Sequence, residues 1–157
     1  MRPNVSIGEA RALATLAFAR AAEISGIDVL DDRALIDEYV KHRANVTAPK
    51  DFYDFQSRVV NGLTGQARRS LERYLDDPGV NQGTPTASIS SVTARGQQIL
   101  GFARGCEIGG LSGGPEAEAL KHEYQQLRGD LSKAERADLD AFLKKHASPE
   151  AWAAMRS

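Results

Sequence analysis

Between Ile7 and Ile24 the chain is dominated by small apolar residues, Ala12-Leu-Ala-Thr-Leu-Ala-Phe-Ala19, with charges only at Glu9, Arg11, Arg20 and Glu23. No segment alternates apolar and polar residues long enough to form a half-buried strand, so the pattern is helical throughout and the class is all-α. The spacing predicts a first helix over about 7–25, stopped at Gly26, where a left-handed cap residue costs little. A second follows over about 32–45, opened by Asp31. A third starts after Thr47, and a fourth runs over Gln66–Asp76.

The same succession returns further along. Residues 9–26 laid over 93–110 agree at nine of 18 positions without a gap, among them Arg11/Arg95, Phe18/Phe102, Arg20/Arg104, Glu23/Glu107 and Gly26/Gly110. With one residue inserted, Ala34–Tyr39 lies over Ala119–Tyr124, which places Glu38 over Glu123. Chance pairing would match about one position in such a window, so a tandem repeat of roughly 84 residues is expected. In the second copy helices are predicted over about 91–108, 115–129, after Ser132, and over about 149–156. Gly114-Pro115 suits a helix start, Ser132-Lys-Ala-Glu135 spells a capping box, and Ser148-Pro149-Glu150 is a further start signal.

The expected organisation is a repeat unit at 1–76, a linker at 77–90 rich in proline, glycine and hydroxyl residues, and a second unit at 91–157. A four-helix unit of under 80 residues is marginal alone, so the two are expected to pack as one globule about a pseudo-two-fold axis. The apolar run at 12–19 has the flavour of a secretory leader, but a segment that recurs mid-chain is not expected to be one.

Composition narrows the chemistry. The 157 residues carry 20 Lys+Arg against 21 Asp+Glu, a formal charge of -1 that points to no polyanionic partner. The single cysteine, Cys106, cannot form an internal disulfide and aligns with Ala22, as a packed, inert thiol would. Three histidines without a Cys-x-x-Cys leave no common zinc module, so neither metal nor cofactor is expected. Glu38-x-x-x-His42 and Glu118-x-x-x-His122 have a ligand-like spacing, but they do not align with each other and read as surface pairs. The glycines of Gly109–Gly114 lack the strand and lysine of a phosphate loop and read as a connection. The alanine- and arginine-rich composition suits a bacterial or phage genome.

Arg11 lies seven residues before Phe18, nearly along the apolar stripe of its helix, so its charge needs a partner. The expected structural ion pairs are Arg11–Glu38 and Arg95–Glu123. Apolar identities between the copies, including Leu16/Leu100, Ile24/Ile108 and Leu35/Leu120, predict buried positions. Phe52, Tyr53 and Phe55 crowd the start of the third helix and cannot all face inward. They are the expected partner-binding residues of a non-enzymatic, cytoplasmic interaction protein: an adaptor, assembly subunit or inhibitor that docks a protein or joins an oligomer, with no membrane segment. The runner-up is a nucleic-acid-binding regulator using Arg68, Arg69 and Arg73. The third reading is a small hydrolase using Glu23 and Glu107.

Overall fold

The computed structural model describes residues 4–24, 32–63, 65–73, 75, 88–111 and 114–157. Within them the chain runs β1 (Val5–Ser6), α1 (Ile7–Ile24), α2 (Asp32–Arg43), α3 (Pro49–Gly62), α4 (Gly65–Glu72), β2 (Ser88–Ile89), α5 (Ser91–Gly109), α6 (Pro115–Arg128), α7 (Lys133–His146) and α8 (Pro149–Arg156). The class is all-α, as the helical spacing implied. The one sheet is an antiparallel pair of two-residue strands, Val5 opposite Ile89 and Ser6 opposite Ser88, too short to leave an alternating pattern. Gly26, Asp31 and residues 76–87 of the expected boundary and linker lie outside the described residues; Ser88 and Ile89 are strand, and Ser90 caps α5.

Local chemistry sets the helix ends. The Ser90 hydroxyl accepts from the Thr93 N–H at the start of α5, and that of Ser148 accepts from Ala151 at the start of α8. Ser132 and Glu135 make the reciprocal bonds of the capping box at α7. Pro115 sits in the first turn of α6, where its missing N–H leaves nothing unsatisfied. At the end of α5, Gly110 adopts φ 95°, a conformation unfavourable for side-chain-bearing residues.

α1 and α5 cross at the centre, and the others pack around them. Gly101 and Gly105 let the two backbones approach: a Cβ on Gly101 would fall on the Ala14 carbonyl oxygen, and one on Gly105 would lie 2.6 Å from both the Ala21 Cβ and the Phe18 oxygen. Two apolar clusters flank this crossing. One gathers Phe18, Leu35, Tyr39, Phe55, Val59, Leu63 and Leu71; the other gathers Ile99, Phe102, Leu120, Tyr124, Leu139, Leu143 and Met155. Tyr39 stacks on Phe55 with ring centroids 5.1 Å apart and donates to Gln56 Oε1 at 3.0 Å. Tyr124 meets Trp152 edge-on and donates to Asp140 Oδ1 at 2.7 Å. Each phenol thus buries its ring and satisfies its hydroxyl from the neighbouring third helix.

Of the positions expected to be buried, Phe18, Phe102, Leu35, Leu120, Tyr39 and Tyr124 are, and Leu16 and Leu100 are partly so. Ile24 and Ile108 are exposed instead. Both occupy the last turn of a central helix, past the point where its neighbours cover it.

Candidate functional site

Where α1, α2 and α5 meet, the fold encloses a charged junction. Glu38 and His42, one turn apart on α2, are 5% and 2% exposed, so the Glu38/His42 pair is interior and not the surface pair its spacing suggested. Arg104 of α5 clamps Glu38 through Nε to Oε1 at 3.0 Å and Nη2 to Oε2 at 2.5 Å. His42 Nε2 lies 2.7 Å from Glu38 Oε2, and Arg11 Nη1 of α1 lies 3.4 Å from His42 Nδ1. Arg104 Nη2 also stands 3.2 Å from His42 Nε2, so the two arginines face both ring nitrogens; the ionised Glu38 carboxylate can only accept, which puts the proton on Nε2 and, in the neutral ring, the lone pair on Nδ1. Burial opposes the charge on Glu38, but the bonds from His42 and Arg104 outweigh it and bring the carboxyl down to about 2.

A second junction stands on the other side of the crossing. Arg20 of α1 holds Glu123 of α6 with Nη1–Oε1 at 3.2 Å and Nη2–Oε2 at 2.9 Å, and Gln98 Nε2 adds 3.2 Å to Oε2. The carboxylates expected to pair with Arg11 and Arg95 are therefore bonded by Arg104 and Arg20. Arg95 instead donates to the Leu127 carbonyl and to Asp130, and Arg11 to His42. The physical reason is reach. Each central helix crosses its fellow closely enough for an arginine late in the helix to bond the carboxylate on the other half.

The remaining candidates are scattered. Phe55 is fully buried against Tyr39 and cannot meet a partner, Phe52 is half-buried beside the same cluster, and Tyr53 alone of the three is exposed. Arg68 and Arg69 stand exposed on α4, and Arg73 is exposed in the turn beyond it. Arg68 Nε lies 3.5 Å from Glu72 Oε1, so a carboxylate already sits within that basic face. Glu107 accepts from the Ser148 hydroxyl at 2.8 Å, tying α5 to the start of α8, and Glu23 lies beside Arg20 at the rim of a groove. The groove beside Glu23 has no second carboxylate among its lining residues, so it does not offer the carboxylate pair that glycoside hydrolysis needs. Glu118 and His122 are exposed on α6. Among the described residues, no group of three or more His, Cys, Asp or Glu side chains is placed to hold a metal ion.

Cys106 is buried in the second cluster. Burial first, then the charges of Glu116, Glu107 and Glu123, push its thiol up from 9.0 to about 12. With the thiolate as the reactive species, alkylation at pH 8 should run about a thousandfold slower in the native protein than in the urea-unfolded chain. Iodoacetamide labelling followed by mass spectrometry measures this, and native and unfolded rates within tenfold of each other would contradict it.

Two clefts with apolar residues in their walls border α1. Leu13, Leu16, Ala19, Gly62 and Leu63 line a cleft of ≈ 340 Å³ between α1 and α3, bordered by Arg20 and Glu23. A second cleft of ≈ 390 Å³ lies where α1, α5 and α6 meet, with Val5, Leu13, Ala94 and Leu127 in its walls and Glu9, Arg95 and Asp130 among its polar residues. Leu13, 37% exposed, lines both clefts. The repeat carries a signal at Leu13 and at His42, the residue whose spacing had suggested a surface pair. Leu13 aligns with Gln97, a polar residue, as an exposed site allows; His42 aligns with Leu127, an apolar one, as an interior site requires.

Comparison with protein-family models, curated proteins and solved structures finds no match to this chain. Among the described residues, no helix is long and apolar enough to cross a membrane.

Proposed function

We propose that the chain is a tandem pair of four-helix units, at 1–76 and 91–157, packed about a pseudo-two-fold axis, and that it works as a cytoplasmic protein-docking module without chemistry of its own. Two arrangements support the duplication. Val5 and Ile89, 84 residues apart, are direct strand partners, as residues astride a two-fold axis are. Arg20–Glu123 and Arg104–Glu38 join the same aligned residues in opposite directions.

What supports the docking function is the pair of clefts along α1 that share Leu13, taken together as one trough. From Glu9 to Glu23 it follows the helix for about 21 Å at 1.5 Å per residue, the length of a partner helix of roughly four turns. The occupant this favours is an amphipathic helix of another protein, its apolar side chains on the exposed Leu13 and half-buried Leu16 and its charged flanks against both signs of charge at the rim. In the other half, His146 stands where α3 has Gly62, with its ring 4.6 Å from that of Phe142. The α1–α3 part of the trough is therefore particular to the first unit, while α5 and α6 supply much of the wall of the other cleft, and the residues that differ between units carry the surface chemistry. Tyr53 replaces the full Phe52–Tyr53–Phe55 set as the exposed aromatic of α3, a second contact for the same partner or for a larger assembly.

A photo-crosslinking residue placed at Leu13, Tyr53 or Lys145 in cells tests this reading. Leu13 should give one discrete protein adduct, identifiable by mass spectrometry, that Lys145 on α7 does not. No adduct from Leu13, or the same mixture from all three positions, would overturn it.

A further inference from the structure

We propose that His42 makes the first helical unit a proton-sensitive element: a proton taken up at Nδ1 releases α2 from α1 and α5, while α5–α8 keep their packing. His42 Nδ1 is the acceptor that Arg11 Nη1 reaches at 3.4 Å, and Arg11 Nε is buried with no partner at all. A proton on Nδ1 converts that acceptor into a donor aimed at a donor. It also creates a third cation in a junction where Arg11 and Arg104 already share the one carboxylate of Glu38.

The charged groups acting on the ring come from every helix of the junction: Glu38 on its own helix α2, Arg104 from α5 and Arg11 from α1. Burial is the largest influence and favours the neutral ring; the bond and charge of Glu38 oppose it, and the two arginines reinforce it, leaving the pKa below the ordinary 6.5. The unfolded segment therefore binds the proton first as pH falls. Packing that depends on neutral His42 is fully present above about pH 6.5 and weakens below it, until the folded-state pKa is passed. Glu38, with its carboxyl at about 2, keeps its charge throughout this window and does not contribute to the transition.

The second half lacks the device. Leu127 occupies the position aligned with His42, and Gln98, a group without a titration in this range, supports Glu123 there. His122 and His146 are exposed and free of such enclosure. Acidification should thus loosen one half of the molecule and spare the other. The half that loosens contains most of the apolar trough on α1, which gives the proton a route to the docking surface without depending on that surface for its own detection.

Hydrogen exchange of the full chain between pH 7.5 and 5.0, corrected for the intrinsic pH dependence of exchange, tests the proposal on peptides from α2 and α6. Protection of α2 should fall by up to about tenfold per pH unit below pH 6.5, the slope of a single linked proton, while that of α6 stays level. His42→Gln, which keeps an amide donor and acceptor but does not titrate, should abolish the fall. A fall shared equally by α2 and α6, no fall in either, or a fall that persists in His42→Gln would each overturn it. Should the variant fail to fold, a direct NMR titration of the His42 ring in the native chain still decides: a pKa at or above 6.5 contradicts the proposal.

Discussion

Gly101→Ala should lower the stability of the protein, although alanine in place of a mid-helix glycine ordinarily gains about 1 kcal/mol. The opposing atom decides the sign. A Cβ at position 101 falls on the carbonyl oxygen of Ala14, part of the α1 backbone, which cannot swing aside as the tip of a flexible side chain can. Gly105, one turn on, faces the Phe18 oxygen and the Ala21 Cβ in the same way, so α1 and α5 cannot separate at one point without giving up the next. Gly101→Val adds two more carbons to the clash and should cost about 3 kcal/mol or more, the upper range for overpacking a filled interior. In a domain of this size that is a fall of roughly 6–12 °C in Tm. Calorimetry on both variants measures it, with Gly114→Ala as the comparison, since its Cβ meets only the end of the Glu116 side chain. A Tm for Gly101→Ala equal to or above the parent would mean that the central helices are not held in backbone contact.

That contact also explains how far the sequence could be read. The starts of α6, α7 and α8 were legible because a cap is a local matter: Pro115, Ser132 with Glu135, and Ser148 each act on backbone groups within a turn. That Glu38 and Glu123 take part in ion pairs with the central helices was legible too, through Arg11 lying along the apolar stripe, although Glu38 and His42 themselves read as a surface pair. Which arginine supplies the pair was not, because it depends on the crossing of α1 over α5, and that crossing is set by small residues whose pattern carries no direction. Ile24 and Ile108 show the complementary limit. Identity between aligned positions records a common environment, and an exposed last turn is as common to both helices as a buried middle. The crowding of Phe52, Tyr53 and Phe55 did reveal that one must face outward, but helical spacing alone left open which; the stack of Phe55 on Tyr39 settles it as Tyr53.

The two arginine junctions should differ sharply in what they contribute, and the difference follows from solvent. Glu38 and Glu123 are almost equally buried, yet the Arg104 side chain is 30% exposed and that of Arg20 50%. Without Arg20, Glu123 keeps Gln98 as a donor and gains access to water along the vacated surface. Without Arg104, Glu38 keeps only His42, itself a neutral donor in the interior. Arg20→Ala should therefore cost about 1 kcal/mol, near the value of a screened surface pair. Arg104→Ala should cost about 3 kcal/mol, the low end for stranding a buried charge, because part of its guanidinium already faces solvent. Removing the carboxylate as well should recover part of that loss, so Arg104→Ala with Glu38→Ala should fall short of the sum of the single changes by about 1–2 kcal/mol. Urea unfolding followed by Trp152 fluorescence gives each value. The coupling should be fully present above the ordinary carboxyl value of 4.5 and disappear as pH falls towards about 2, since a carboxylate with a depressed pKa contributes stability only while it is ionised. Equal costs for the two arginines, or additive losses in the double variant, would show that Glu38 is held by the helices around it and not by the arginine that crosses to reach it.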